Sequence, residues 1–138
     1  LAVALTIKEA RAYVTPEDQA LPKERQTTWW LRALPYACRM LLMRQFGGRA
    51  RGGKLELSAE EDVELMAMAL RLCLVGVDNL VGEDGTVVPF EQEDLRLAGE
   101  TFRVPTPAFL NRLDMVTRLR VSTAALDHQF LGADDRRG

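Results

Sequence analysis

The chain of 138 residues is 47% hydrophobic and 28% charged, the proportions of an ordinary globular domain large enough to bury one core. Its 18 basic and 20 acidic side chains leave a net charge of -2, which excludes a surface built throughout to hold nucleic acid or anionic lipid and leaves room only for local patches. No run approaches the ~18 apolar residues of a membrane span, and Cys38 and Cys73 sit among apolar residues, as buried thiols of a reducing cytoplasm do. The expectation is a soluble intracellular product folded as a single domain over residues 1–131, with a frayed tail at 132–138.

In chain order, "LAVALTIKEARAYV" supports two readings. Leu5 and Ile7 alternate as in a strand, whereas Thr6 with Glu9 makes a capping box for a short helix through Tyr13. Pro16 and Pro22 bracket a polar connection. The β-branched and aromatic "TTWWLRAL" then predicts a strand over 27–34, covered on both sides, with Trp29, Leu31 and Ala33 on one face and Trp30, Arg32 and Leu34 on the other. Pro35 suits the first turn of a helix over 35–46, which stops at Gly47-Gly48. The Gly/Arg stretch 47–54 reads as a flexible loop.

Ser58 and Glu61 form a capping box, and acidic residues fill the first turn of a helix predicted over 58–75. Val63, Met66, Leu70 and Cys73 line its main stripe, widened by Leu65, Met68, Leu72 and Val75, so it reads as the central helix of the core. Gly76 breaks it. "DNLVGEDGTVVPF" then predicts a hairpin over 80–88 turning at Gly82 to Gly85. A short acidic helix is expected over 91–99, and a long one over 107–130, with Phe109, Leu113, Val116, Leu119, Thr123, Leu126 and Phe130 recurring as its buried stripe. The fold class is therefore α+β: a mainly helical single domain with a small N-terminal β element and one short hairpin.

The sequence offers little that would build an active site. "GGRARGGKLE" contains Gly48, four residues, then Gly53-Lys54, close to a phosphate loop. Such a loop, however, follows a strand and opens into a helix with Ser or Thr after the Lys. Here a helix is predicted before it and Leu55 follows. Arg39, Arg44, Arg49, Arg51 and Lys54 also make a basic patch able to attract phosphate backbones, but no aromatic residue interleaves the loop, and Glu56, Glu60, Glu61 and Asp62 oppose its field. A solvated connection, or a loop docking an acidic protein, fits better than a nucleic-acid site.

His128 is the single histidine, which leaves no multi-histidine zinc set and no proton-shuttling pair. Asp78, Asn79, Glu83 and Asp84 depart from calcium-loop spacing and read as turn chemistry. Of Trp29 and Trp30, on opposite strand faces, one is free to serve an interface. No cofactor or metal is expected, and the census favours a binding or assembly protein over an enzyme.

Two stretches carry a resemblance. "YVTPEDQALPKERQTTWWLRAL", through Pro16, Asp18, Leu21, Pro22, Gln26, Thr27, Leu31, Arg32 and Leu34, resembles the opening of small proteins of the tail modules of long-tailed bacteriophages. "VGVDNLVGEDGTVVPFEQEDL", through Gly76, Asn79, Glu83, Asp84, Gly85, Pro89 and Phe90, is similar to a later segment of the same proteins. The family they resemble most is the tail assembly chaperones. The resemblance implies a non-enzymatic morphogenesis protein that binds the tape-measure protein, tail-tube subunits or both in the host cytoplasm. Its competitors are a virion structural subunit of tail, neck or baseplate, and a nucleic-acid-binding accessory acting through 39–54. Partner-contacting residues are expected at Trp29, Trp30, Arg49, Arg51, Lys54 and Phe90, with a homo-oligomer also open and no membrane association.

Overall fold

The computed structural model describes residues 10–33, 44, 59–61, 63–97 and 99–126, and the backbone alone at 50–51, 54–55 and 62. Strand β1 (Arg11–Tyr13) leads into helix α1 (Pro16–Gln19), a single 3-10 turn at Lys23–Arg25 and strand β2 (Thr28–Leu31). Strands β3 (Ala50–Arg51) and β4 (Lys54–Leu55) precede helix α2 (Ala59–Cys73), which passes directly into strand β5 (Leu74–Asp78). Strands β6 (Gln92–Leu97) and β7 (Glu100–Pro105) follow, then helices α3 (Pro107–Leu110) and α4 (Met115–Leu126). The described chain is α+β: a three-stranded antiparallel sheet ordered β1-β2-β5, two two-stranded ladders, β3-β4 and β6-β7, and four helices.

The sheet faces the helices with one side only. Tyr13 pairs with Trp29, and Trp29 with Val77, on the inner face. Trp29 and Leu31 are buried, whereas Trp30 on the opposite face is half-buried, so the strand is not covered equally on both sides. A register shift between Trp30 and Leu31 pairs Leu31 with Leu74, leaving Val75 as the extra residue. Such a bulge re-aims the strand. It brings Leu74, the first residue after the helix, fully into the core. The core also holds Leu65, Ala69, Leu70, Leu72 and Cys73 of α2, Phe102 and Val104 of β7, Phe109, Leu113, and Val121 and Ala125 of α4. Helix α2 packs along α4 and against β7. Burying each large apolar side chain contributes about 1.5–3 kcal/mol, which makes this central layer the main source of stability.

Several sequence expectations are corrected. Residues 91–99 form a strand, not a helix: Gln92–Leu97 pairs with Glu100–Pro105 in continuous register. Leu95 stands opposite Phe102 and Glu93 opposite Val104 on the inner side, while Asp94 meets Arg103 on the outer side, N–O 3.1 Å. Cross-strand pairing of this kind overrides the helical preference of Glu, Gln, Leu and Arg. The helix expected over 58–75 ends at Cys73, two residues early, because Leu74 and Val75 are taken into β5. At the N-terminus, Arg11–Tyr13 is extended, so no helix runs through Tyr13.

The helix expected over 107–130 is two helices within the described residues. Thr106 Oγ1 caps α3 by accepting from Phe109 N, a turn follows through Arg112 N to Phe109 O at 3.0 Å, and Asp114 Oδ1 caps a new helix by accepting from Thr117 N at 2.7 Å. The hairpin over 80–88 is present but narrow: a single bridge joins Val81 to Val87, Val88 N donates to Leu80 O, and the turn closes from Gly85 N to Gly82 O. Within the Gly/Arg stretch predicted as a flexible loop, Ala50 pairs with Leu55 and Arg51 with Lys54, a minimal antiparallel ladder. Helix exceeds strand among the described residues, and both contribute, so the fold is a mixed α+β one. Most of the helix expected over 35–46, its neighbour Cys38, the cap at Ser58, His128 and the tail at 132–138 lie outside the described residues.

Candidate interaction surface

Among the described residues, the aromatic side chains expected to contact a partner do not converge. Trp29 is in the core, 2% exposed. Phe90 packs edge-on against Phe109, ring centroids 5.1 Å apart, and belongs to the rim of the same core. Trp30 is the one of the three with an outward aspect, and its Nε1 donates to Asp78 Oδ2 at 2.8 Å across the β2-β5 pair. Arg51 and Lys54 are backbone partners in the β3-β4 ladder, and Arg49 lies outside the described residues.

The two stretches that carry the resemblance do converge. Thr27 N donates to Asp18 Oδ2 at 2.9 Å, and Thr27 Oγ1 donates to Asn79 O at 2.9 Å. Asn79 Nδ2 donates to Glu24 O and Gln26 O at 3.1 and 3.2 Å, and Gln26 Nε2 reaches Leu21 O. Asn79 adopts a φ of 63°, a left-handed conformation that Asn tolerates better than most residues. These polar residues form a clamp that closes the 15–27 connection onto the end of β5. Arg32 serves a similar end: its Nε donates to Leu72 O at 3.1 Å and its guanidinium lies over the Phe102 ring. Asp84 Oδ1 accepts from Thr86 N and Thr86 Oγ1, closing the hairpin turn, and its carboxyl is held below its ordinary range chiefly by the Thr86 hydroxyl. Motif residues are thus committed to turns and clamps.

The surface that stands out lies on α4. At roughly 100° per residue, Met115, Val116, Leu119 and Thr123 occupy one arc of the helix, and all four face solvent, Met115 at 74%, Val116 at 56% and Leu119 at 51% exposure. The adjoining side, Val121, Ser122 and Ala125, is buried. Sequence periodicity assigned Val116, Leu119 and Thr123 to the core as a continuation of Phe109 and Leu113. Only the latter two are buried. The break at Asp114 resets the helical phase, and the continuing apolar period emerges on the outside.

This stripe borders a shallow groove lined by Tyr13, Pro16, Leu119, Arg120, Thr123 and Ala124. Arg120 spans its edge, with Nε and one terminal nitrogen on Glu17 Oε2 at 3.3 and 3.1 Å. The Glu17 carboxyl is lowered by its backbone hydrogen bond at the start of α1 and by Arg120. Exposed apolar area of this kind, next to a groove and rimmed by charge, suits protein contact. Among the described residues there is no cluster of three or more His, Cys, Asp or Glu side chains able to hold a metal ion, and no helix long and apolar enough to cross a membrane. No family model, curated protein or solved structure matches the chain.

Proposed function

We propose that this chain is a non-enzymatic bacteriophage tail morphogenesis protein, similar to the tail assembly chaperones, that holds a tape-measure or tail-tube partner in the host cytoplasm. The observation that carries the reading is the outward apolar arc Met115, Val116, Leu119 and Thr123 beside the Tyr13–Pro16 groove. A helix that turns its largest apolar side chains to water is stabilised by a partner that covers them. The resemblance supplies the biological setting. Its support is that the two resembling stretches, distant in sequence, meet in one hydrogen-bonded clamp, as one structural unit requires.

Two measurements test it. Co-expression with the products of neighbouring open reading frames, followed by pull-down, is expected to recover and solubilise a long helical partner; failure with every neighbour contradicts the proposal. Mass spectrometry of purified particles is expected to find no peptides of this chain. Abundant peptides at fixed copy number would instead identify a virion structural subunit.

A further inference from the structure

Between β1 and β2 the chain passes the edge of the α4 groove on a segment with no apolar anchor. From Pro16 to Gln26 no residue is buried, and Leu21, its one large aliphatic side chain, is 38% exposed. The flanks differ: Thr15 and Trp29 are both buried. Polar contacts hold the segment instead. Thr27 N donates to Asp18 Oδ2 and Gln26 Nε2 to Leu21 O, so its first and last parts are tied to each other. Asn79 Nδ2 fixes the far end through Glu24 O and Gln26 O, and Arg120 fixes the near end through Glu17 Oε2 at 3.1 Å. These bonds are exposed or part-buried, where water competes for the same groups. A segment with few buried apolar contacts and solvent-exposed hydrogen bonds opens ahead of the core.

We infer that residues 16–26 are a strap that opens as one unit while β1, β2 and the core stay folded, with the Glu17–Arg120 pair as its latch on the groove. Closed, the strap supplies Pro16 to the groove wall and Glu17 grips Arg120. Open, it frees the Arg120 guanidinium and removes that wall, which leaves Tyr13, Thr123 and Ala124 in one surface with the exposed Leu119. The pairing of Arg11 to Tyr13 with Leu31 to Trp29 does not involve the strap and keeps Tyr13 in place. The strap thus regulates how much apolar surface a partner meets, and in that respect it rests on the assembly reading above.

The test is residue-resolved hydrogen exchange of the full chain, read by NMR. The amides of Asp18, Gln19, Leu21, Arg25 and Gln26 are hydrogen-bonded in the closed strap. They are expected to share a similar protection, at least about 100-fold below that of Leu65 to Cys73 in α2. Glu17→Arg should speed exchange at both ends of the strap by a common factor of about five, and adding Arg120→Glu should restore most of the lost protection. Salt should speed the same amides in the native chain by screening the latch, and do so less in Glu17→Gln. Protection equal to that of α2, acceleration confined to α1, or no restoration by the reversed pair would overturn the inference. Because exchange is read without a partner, a failed pull-down would sink the assembly reading and leave the strap standing. Slow or uncoupled strap amides would do the reverse.

Discussion

Asn79 joins an unusual backbone to a bridging side chain. Its φ of 63° places it in the left-handed region, and its amide reaches two carbonyls of the 24–26 segment. Asn79→Ala loses both hydrogen bonds and adds left-handed strain, so urea unfolding is expected to show a loss of about 2 kcal/mol. Asn79→Gly relieves the strain and should cost less. Equal losses would mean the backbone conformation contributes nothing. Asp84 offers a titration test. Its pKa is lowered on folding, chiefly by the Thr86 hydroxyl and then by the Thr86 N–H. A lowered folded pKa means that its stabilisation is present above the unfolded value and lost as pH falls through the folded one. Carboxyl NMR should show Asp84 titrating below an unstructured Asp, and Thr86→Val should move it back up. Turn chemistry at these residues was legible in the sequence because Asn, Asp and Gly act locally. That Asn79 grips residues about fifty positions earlier was not legible.

At the scale of elements, the sequence was clear where period and caps agree and misleading where pairing decides. Helix α2 was legible from its acidic first turn and apolar stripe, although Val63, expected on that stripe, is 67% exposed; the Gly82–Gly85 turn was legible from its residues. Strand β6 was not, because "EQEDLRL" is rich in helix formers; the clue lay in its partner, "TFRV", where apolar and polar residues alternate. The ladder depends on a turn at Gly99, which has a φ of 78°. Gly99→Ala should therefore lower stability by about 1–2 kcal/mol, measured by chemical denaturation; no change would contradict the turn geometry. The last helix was the other failure. A constant period suggested one buried stripe, and only the Asp114 cap signals that the phase is reset. The two halves of that stripe should now behave oppositely. Phe109→Ala, at a fully buried position, is expected to cost about 3–5 kcal/mol. Leu119→Ala, half-exposed, should change stability by less than about 0.5 kcal/mol yet weaken partner binding. A large stability loss at Leu119 would place it in the core.

For the molecule as a whole, one face of a small sheet and the α2–α4 pair share a single apolar layer. Residues chosen from the sequence as contacts divide between that layer, as Trp29 and Phe90 do, and the outer sheet face, as Trp30 does. The motif of arginine-rich 47–54 is conspicuous in the sequence, whereas the α4 face is visible only once the buried side of the helix is known. Under the proposed function, that face meets the partner. The most direct measurement is pull-down of the co-expressed neighbouring gene products with the native chain and with Val116→Asp and Leu119→Asp. Both substituted positions are exposed, so each variant should fold with native circular dichroism. The native chain is expected to retain a partner and both variants to lose it. Retention of the same partner, undiminished, by both folded variants would contradict it.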